Sequence, residues 1–250
     1  MIGIDLAGRT AMVTGASQGL GAACCQRLHQ AGANVIINYF EEGSGINLER
    51  AEETAAKLGS RYMIFEADVR DYDRVGTMFD DGIKEFGAVD IVINNAGIIR
   101  DKTIRKMDKK TWQDVIDTNL TGVFNVCSHA SNRLSDGGRI VNFTSISAFV
   151  GFFGQSNYAA SKAGVAAMTK VLSRELAKRD ITVNSVAPGV VLTEMGMTIP
   201  EEVRDRMLGS IPLGRFCRPE EIADVVVFLA SDLSGYVTGQ TIHVNGGWIS

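Results

Sequence analysis

The 250-residue chain has few cysteines and histidines, and neither type is spaced as a metal site requires. No cysteine pair forms a C-x-x-C pattern, and two of the four are adjacent: Cys24, Cys25, Cys127 and Cys217. The three histidines also lack ligand-like spacing to one another or to a cysteine: His29, His129 and His243. Because structural metal sites draw on closely spaced pairs of these residues, we expect no metal and reduced, buried thiols.

Positive charge is not in excess, and long apolar runs are missing. The 25 lysines and arginines are outnumbered by 29 acidic residues, which gives a net charge of −4. A nucleic-acid-binding or membrane-surface protein would show a basic footprint, which this chain does not have. No stretch approaches the ~18 apolar residues of a membrane helix, and the first residues lack a signal-peptide pattern. We therefore expect a cytoplasmic protein that binds neither nucleic acid nor membrane.

Internal repeats, low-complexity segments and Pro/Gly linkers are also absent from the sequence, so we expect one domain over residues 1–250. Short apolar runs alternate instead with longer segments of helical period. The predicted strands are 10–13, 34–38, 61–66, 89–93, 139–143, 181–186 and 241–244. The predicted helices are 20–31, 47–58, 72–86, 111–134, 157–178 and 219–229. This alternation predicts an α/β fold, a doubly wound seven-stranded parallel sheet with helices on both faces.

A glycine-rich turn at residues 14–21 joins the first strand to the first helix. Its glycines let the backbone turn tightly and approach a pyrophosphate at the helix N-terminus, where free N–H groups attract anions. The spacing is G-x-x-x-G-x-G rather than the G-x-G-x-x-G of other dinucleotide folds. The position after the first strand still favours a cofactor site over an ordinary turn. The predicted contacts are Gly15, Ser17, Gln18, Gly19, Leu20 and Gly21.

The end of the second strand bears on the choice between NADP and NAD. An acidic residue there would bind the ribose 2′-OH of NAD, and Tyr39 occupies that position. The sequence thus favours NADP(H). NAD(H) stays open, because Gln18 supplies no positive charge and Glu41 and Glu42 follow closely.

Small and polar residues end the third and fourth strands. Asp68 and Val69 are predicted to meet the adenine, although Asp68 can equally be the N-cap of the next helix. Asn95, Ala96 and Gly97 allow a ribose to approach closely, although they can also form a plain turn. Asn119 interrupts a predicted helix beside Thr and Gly, where helix propensity is poor. Either the helix is locally broken to aim a polar group inward, or Asn119 is a tolerated surface residue.

Three residues in the second half of the chain form a candidate catalytic group. Tyr158 and Lys162 are four residues apart, so on a helix they share one face. A nearby ammonium lowers the pKa of a phenol and suits it to acid–base work. Ser145 follows the strand at 139–143, and a hydroxyl at that carboxyl end can converge with Tyr158 on one carbonyl oxygen. A Tyr and a Lys at this spacing often only cover a helix surface, but Ser145 favours a site in which these side chains meet a carbonyl oxygen.

These motifs together resemble those of the short-chain dehydrogenase/reductase family over essentially the whole chain. The matching pieces are residues 14–21, 94–97, 119, 145, 158, 162 and 188–189, in the expected order. Within the family, further segments resemble the subfamilies that reduce 3-oxoacyl thioesters of acyl carrier protein or CoA. Those segments are residues 95–101, 114–120, 211–215 and 238–247. The resemblance implies a single-domain Rossmann-like fold, with a cofactor-binding half to about residue 135 and a catalytic and lid part from about 136.

The resemblance also implies a role for each residue of the catalytic group. Tyr158 would protonate the carbonyl oxygen as the nicotinamide delivers hydride, and Ser145 would polarise that oxygen. Lys162 would hold the nicotinamide ribose, which Tyr158 also contacts, and would lower the tyrosine pKa. Asn119 would anchor a water that links Lys162 to solvent. Four more residues would contact the cofactor: Pro188, Gly189, Val191 and Thr193.

A mobile lid and a homotetramer are implied as well. The lid would span residues 192–211 and carry Met195, Met197 and Met207, which could equally be ordinary packing. Helices that are apolar on more than one face, at 111–134 and 157–178, favour a partner subunit.

One segment departs from the carrier-protein reductases. They often carry basic residues before the fifth strand to meet the acidic carrier, whereas residues 134–138 here include Asp136. Arg133, Lys178 and Arg179 remain nearby, so acyl carrier protein stays a possible partner beside a CoA thioester or a smaller ketone. Two other functions stay open: an NAD(H)-dependent alcohol, polyol or sugar dehydrogenase, and a catalytically silent dinucleotide-binding regulator.

Overall fold

A computed structural model describes residues 3–41, 43, 45–192 and 201–249. Its strands form one parallel sheet in the order β3-β2-β1-β4-β5-β6-β7. The strands are β1 Thr10–Val13, β2 Asn34–Tyr39, β3 Tyr62–Glu66, β4 Ile91–Asn94, β5 Arg139–Phe143, β6 Thr182–Pro188 and β7 Thr241–Val244. The predicted fold class is confirmed, and each predicted strand lies within two residues of an observed one. The strand order reverses at β1 and β4, which opens a crevice at their carboxyl ends.

Helices cover both faces of this sheet. The α-helices of the described residues are α1 Gly19–Gln30, α2 Ile46–Leu58, α3 Tyr72–Phe86, α4 Lys109–Ile116, α5 Gly122–Arg133, α6 Ser147–Val150, α7 Ser156–Glu175, α8 Glu201–Leu208 and α9 Pro219–Ala230. The first core lies beneath α1, α2 and α9, and the second beneath α3, α5 and α7. Successive residues of a strand face alternate cores: Ala11 and Val13 lie in the first core, and Met12 lies in the second. This alternation follows from the period of two in a strand.

Two predicted helices differ from the observed ones. The helix expected over 111–134 begins two residues earlier and is interrupted by a π-helix at Asp117–Thr121, which separates α4 from α5. The helix expected over 157–178 ends at Glu175, and a short 3-10 turn, Ala177–Arg179, follows it. A single unbroken period cannot reveal a π-turn, because one added residue shifts the face of everything after it.

Cysteines and membrane spans can be compared with expectation where the structure describes them. All four thiols are free, and three of them are buried, whereas Cys217 is partly exposed. Within residues 3–41, 43, 45–192 and 201–249, no helix combines the length and apolarity needed to cross a bilayer. Over the same ranges, no group of three or more His, Cys, Asp or Glu side chains is placed to hold a metal ion.

Candidate active site

The glycine-rich turn lies at the crevice between β1 and β4. Thr14 fixes it there, because its hydroxyl accepts the backbone N–H groups of Asn95 (3.0 Å) and Ala96 (3.1 Å) at the end of β4. Asn95 ties the turn from the other side, since its amide donates to the carbonyl oxygens of Thr14 (2.9 Å) and Gly15 (2.8 Å). A Cβ at Gly15 would lie 2.8 Å from the Ala96 Cα. Asn95 and Ala96 therefore hold the turn in shape.

Helix α1 begins at Gly19, which has a φ of +58°, and Gln18 occupies the N-cap position without capping the helix through its side chain. Gln18 and Gly19 are both exposed at the crevice. First-turn N–H groups without a side-chain cap can bind an anion, and the helix dipole favours negative charge there. This N-terminus fits the pyrophosphate of a dinucleotide. Ser17 is drawn toward α2, because its carbonyl accepts the Thr54 hydroxyl at 3.1 Å.

Tyr39 ends β2 as expected, but its surroundings are more acidic than the sequence suggested. The tyrosine is buried, and burial is the first cause that raises its pKa. Glu66, Glu41 and Glu52 raise the pKa further, and Arg74 opposes them. The Glu41 carboxylate accepts the backbone N–H groups at the start of α2, including Asn47 at 3.0 Å. Glu42 lies outside the described residues.

Asp68 and Val69, the two residues predicted to meet the adenine, lie in different surroundings after β3. Asp68 accepts the backbone N–H of Arg70 at 2.9 Å and pairs with its guanidinium. The alternative role proposed for Asp68 is wrong, because Asp71 is the N-cap of α3 and accepts the Arg74 N–H. Val69 is buried in the second core, so only its backbone can meet a ligand in this conformation.

Asn119 lies within the π-helix and is fully buried, which is the first of the two alternatives stated from the sequence. Its Oδ1 accepts the Ile98 N–H at 2.8 Å, and its Nδ2 donates to the Ile98 carbonyl at 2.9 Å. This pairing fixes the segment after β4 and uses both ends of the amide. A Cβ at Gly97 would lie 3.2 Å from Asn119 Oδ1 and 3.6 Å from Lys162 Nζ, so glycine lets these side chains approach the segment.

Ser145, Tyr158 and Lys162 meet beyond the carboxyl end of β5. The Ser145 hydroxyl lies near enough to the Tyr158 phenol to lower its pKa, and the Lys162 ammonium lies 5.8 Å from the centre of the Tyr158 ring. Lys162 is buried and donates to the Phe143 carbonyl at 2.8 Å. The structure thus brings together the three residues that the sequence selected, with Asn119 and Gly97 behind them.

Electrostatics in this group differ from the expectation. Burial raises the pKa of Tyr158 to about 12; the Ser145 hydrogen bond lowers it and the Asp101 charge raises it. Burial also lowers the pKa of Lys162 to about 8. The expected lowering of the phenol pKa by Lys162 is therefore not seen, because the same loss of water disfavours both charged forms and the ammonium is directed at Phe143. In this conformation Tyr158 is a protonated acid.

The carboxyl end of β6 completes the crevice. The Gly189 N–H donates to the Val244 carbonyl at 3.0 Å, and a Cβ at Gly189 would lie 3.1 Å from the Asn245 Cα. The Pro188 carbonyl accepts the Ile146 N–H at 3.0 Å, which joins β6 to the segment after Ser145. Val191 is buried and forms an isolated parallel β-bridge with Cys217 through the backbone.

Part of the predicted lid falls outside the described residues, including Thr193, Met195 and Met197. The described part contains α8, and Met207 lies in its last turn.

Three residues beside this group were not selected from the sequence. Ser147 Oγ accepts from Ser145 Oγ at 3.2 Å and donates to Gln155 Oε1 at 2.8 Å. Gln155 Nε2 in turn donates to Asp101 Oδ2 at 2.9 Å. Their sequence signal is weak, because Ser147 and Gln155 only flank Ser145 and Tyr158, and Asp101 is far away in the chain.

Comparisons with known proteins agree with this geometry. A family model described as enoyl-(acyl carrier protein) reductase matches residues 15–249. The chain is 44% identical over 241 residues to a 3-oxoacyl-[acyl-carrier-protein] reductase of Staphylococcus aureus, covering 96% of this chain and 97% of that protein. It is 40% identical over 250 residues to the reductase of the same name from Aquifex aeolicus, covering 98% of each. Nodulation protein G of Azospirillum brasilense is 42% identical over 245 residues, covering 96% of this chain and 97% of that protein.

Solved structures give the same result. A Brucella melitensis protein described as short-chain dehydrogenase/reductase, glucose/ribitol dehydrogenase, superposes with a TM-score of 0.94 at 33% identity, covering 100% of both chains. A dehydrogenase/reductase of Sinorhizobium meliloti superposes with a TM-score of 0.92 at 34% identity, covering 99% of this chain and 97% of that one. The chain therefore belongs to the short-chain dehydrogenase/reductase family and is an NAD(P)-dependent oxidoreductase.

Proposed function

We propose that this protein is a cytoplasmic enzyme that reduces a 3-oxoacyl thioester to the 3-hydroxyacyl thioester with NADPH. The observation that carries the proposal is the meeting of the Ser145 and Tyr158 hydroxyls beside Lys162 at the carboxyl end of β5. The names of the relatives from S. aureus and A. aeolicus support the substrate class. Residues 1–250 act as one domain in this proposal.

Tyr158 and Ser145 act on the ketone oxygen. The nicotinamide, when bound, supplies the hydride to the carbonyl carbon. Ser145 donates a hydrogen bond to the oxygen and stabilises the negative charge that develops on it. Tyr158 gives that oxygen its phenolic proton, and its pKa of about 12 keeps this proton in place through the neutral pH range.

Lys162 and Asn119 support the proton supply. The buried Lys162 ammonium has one hydrogen bond among the described residues, to Phe143, so its remaining N–H donors are available to a ribose hydroxyl and a water. The Asn119 amide is committed to Ile98, so the predicted water would have to bind its backbone carbonyl. The π-helix supports that assignment, since its altered hydrogen-bond register changes which carbonyl oxygens are paired.

NADP(H) is the proposed cofactor, because the 2′-hydroxyl position at Tyr39 lacks an acid and Glu41 is engaged by α2. The pyrophosphate would lie at the N-terminus of α1. NAD(H) is a second candidate, and a specific observation favours it: the carboxylates of Glu66 and Glu52 act on Tyr39 and would repel a 2′-phosphate. A polyol or sugar substrate for such an enzyme has a parallel in the description of the B. melitensis structure, which names glucose/ribitol dehydrogenase.

The thioester carrier is proposed to be CoA as well as acyl carrier protein. Two basic residues near the start of β5 are paired with carboxylates, because Arg133 contacts Asp80 at 2.8 Å and Arg179 contacts Asp136 at 2.7 Å. The carboxylates of these pairs are largely exposed to water, so the pairs reduce the positive field of the arginines without removing it. An acidic carrier would thus be attracted only weakly.

A homotetramer is proposed from two exposed apolar side chains on the long helices. Phe124 of α5 is 52% exposed and Val171 of α7 is 54% exposed. Pairing of these helices between subunits would bury them. The double variant F124D/V171D is expected to elute as a smaller species in size-exclusion chromatography with light scattering. An unchanged mass would contradict this interface.

The function is tested by following NADPH oxidation with the 3-oxobutanoyl group carried on acyl carrier protein and on CoA, with NADH in parallel. We expect turnover on both carriers, faster with NADPH. The 2-butenoyl thioester is the matched control, because the family model that matches the chain is described as an enoyl reductase. Turnover of the enoyl thioester alone, or of neither thioester, would overturn the proposal. In the second case polyols with NAD⁺ would be the next substrates.

Tyr158→Phe is the companion variant. We expect turnover to fall by about a thousandfold or more, because the proton donor is lost while the ring remains. Cofactor affinity, measured by fluorescence titration with NADPH, should change little. Activity near the wild-type level would show that Tyr158 is not the donor.

A further inference from the structure

We propose that Asp101 is a positioning residue that acts through Gln155 and Ser147 to hold Ser145 and Tyr158 ready for proton donation. This inference rests on the proposed function of Ser145 and Tyr158. The geometry points to it because a continuous line of hydrogen bonds runs from an exposed carboxylate to Ser145 itself. Asp101 lies in the segment after β4, and Gln155 immediately precedes α7.

Each bond in this line has a defined direction. The Asp101 carboxylate can only accept, so it fixes the Gln155 amide with Nε2 toward it at 2.9 Å. Gln155 Oε1 must then face Ser147, whose hydroxyl donates to it at 2.8 Å. The Ser147 hydroxyl is therefore unable to donate to Ser145.

Ser145 benefits from that direction. Its Oγ accepts the Ser147 backbone N–H at 3.1 Å and lies 3.2 Å from the Ser147 Oγ. If the Gln155 amide turned over, the Ser147 hydroxyl would donate to Ser145 and compete with Tyr158 for its lone pairs. The present direction leaves Ser145 available to Tyr158. The Ser145 hydroxyl now donates to the neutral Ser147 oxygen. It can turn this hydrogen bond to a stronger acceptor, such as the oxyanion that develops on the substrate.

The backbone holds Asp101 and Gln155 against each other. On one side of their contact the Lys102 N–H donates to the Gly154 carbonyl at 3.0 Å. On the other side the Asn157 Nδ2 donates to the Arg100 carbonyl at 3.0 Å. The side-chain contact therefore lies between two hydrogen bonds to backbone carbonyl oxygens, which restrict both residues although Asp101 is exposed.

Asp101 also acts on Tyr158 through its charge. Burial is the main cause of the raised Tyr158 pKa, and the Asp101 carboxylate raises it further. Two charged groups face Tyr158 in the described part of the chain, Asp101 from the segment after β4 and Lys162 from α7, while β5 is followed by the neutral Ser145. The Lys102 ammonium is directed to Asp108 at 3.1 Å. Removing the Asp101 charge should thus make Tyr158 a stronger acid.

The test separates the charge from the hydrogen bond. Asp101→Asn keeps an acceptor for Gln155 but removes the charge, whereas D101L and Q155L break the line. Reduction needs protonated Tyr158, so activity is lost as pH rises through its pKa. For D101N we expect the alkaline limb of kcat/KM to move about half a pH unit lower, with kcat at pH 7 within about twofold of wild type.

For D101L and Q155L we expect kcat for acetoacetyl-CoA reduction to fall about tenfold, with the KM for NADPH changed less than about twofold. D136N is the control, because Asp136 is an exposed, arginine-paired carboxylate near the amino end of β5. Its profile and kcat should match the wild type. If the alkaline limb of kcat/KM moved as far in D136N as in D101N, the shift would reflect only the net charge of the protein, and the proposal would be overturned.

The variant Y158F keeps this test independent of the proposed function. If Y158F retains activity, the proposed function fails. If Y158F is inactive while D101N, D101L and Q155L all match the wild type, the proposal for Asp101 fails alone. NMR titration of ring-labelled tyrosine, with Tyr158 assigned by its loss in Y158F, gives a readout without turnover. The Tyr158 resonance should begin to move at lower pH in D101N, and coincident titrations would overturn the proposal.

Discussion

A cation is buried at each end of β5, and the two are treated differently. At the first residue of the strand, Arg139 donates hydrogen bonds to four carbonyl oxygens, those of Gly137, Gly138, Asp180 and Ser231, and to the Asp232 carboxylate. Past the last residue, Lys162 donates to one carbonyl, that of Phe143, among the described residues. Both side chains are at most 5% exposed.

The difference separates a structural cation from one that serves chemistry. A buried charge is tolerated when its hydrogen bonds are made, and each of the three guanidinium nitrogens of Arg139 has at least one fixed acceptor. Among the described residues, Lys162 has one hydrogen-bond acceptor and so keeps unused donors, and burial lowers its pKa to about 8. The amino end of the sheet therefore gains rigidity from its cation, whereas the carboxyl end holds a cation ready for a ligand.

The largest expected effect comes from Lys162→Met, which tests the carboxyl end. Turnover should fall about a thousandfold, since the ammonium that supports Tyr158 is lost. The fold should remain or become more stable, because an apolar chain replaces a poorly paired buried charge. Steady-state kinetics and thermal unfolding measure the two effects. A destabilised but active variant would reverse the contrast between the two cations.

The opposite pattern is expected for Arg139→Met. Stability should fall by about 3 kcal/mol, because buried carbonyl oxygens lose their donor. Activity per folded molecule should stay near that of the wild type, since Arg139 is at the far end of β5 from Tyr158. Denaturant unfolding gives the stability, and R133M is the control, as the Arg133 side chain is 32% exposed. If R139M and R133M lost the same free energy of unfolding, the buried hydrogen bonds of Arg139 would contribute no more to stability than those of a partly exposed arginine.

The sequence predicted one end of β5 better than the other. Ser145, Tyr158 and Lys162 follow local rules, a strand end and an i,i+4 pair, and the structure brings them together. Arg139 fell inside an apolar run, and no local pattern indicates that distant carbonyl oxygens will surround a buried arginine. The pKa values could not be predicted for the same reason, because they depend on how much water the complete fold removes.

Long-range partners explain the other failures. The poor helix propensity at Asn119 indicated a break, but only the fold reveals that the break is a π-helix and that Ile98 pairs with the amide. Asp101 and Gln155 are 54 positions apart, so their contact has no sequence period. Sequence therefore predicts the elements and the residues at strand ends, whereas the hydrogen bonds between elements must be read from the structure.

A smaller effect is expected in the pH dependence of stability. Burial lowers the Lys162 pKa from 10.5 to about 8, so between these values the unfolded chain binds more protons than the folded one. The contribution of Lys162 to stability must then rise with pH over that window. The stability advantage of K162M over the wild type should shrink from pH 8 upward, as measured by denaturant unfolding at several pH values. A constant difference would show that Lys162 stays charged in the fold.

Asp232→Asn should have the smallest effect. It tests how much the ion pair, as opposed to the carbonyl oxygens, stabilises the buried Arg139. Asp232 Oδ1 accepts from Arg9 at 2.9 Å and from Arg139 at 3.3 Å, but its side chain is 80% exposed. Water screens such a carboxylate, and asparagine retains an acceptor, so the loss should stay below about 1 kcal/mol. Thermal unfolding of D232N at low and high salt measures it. A loss as large as that of R139M would mean that the ion pair, rather than the carbonyl oxygens, is what makes the buried Arg139 favourable.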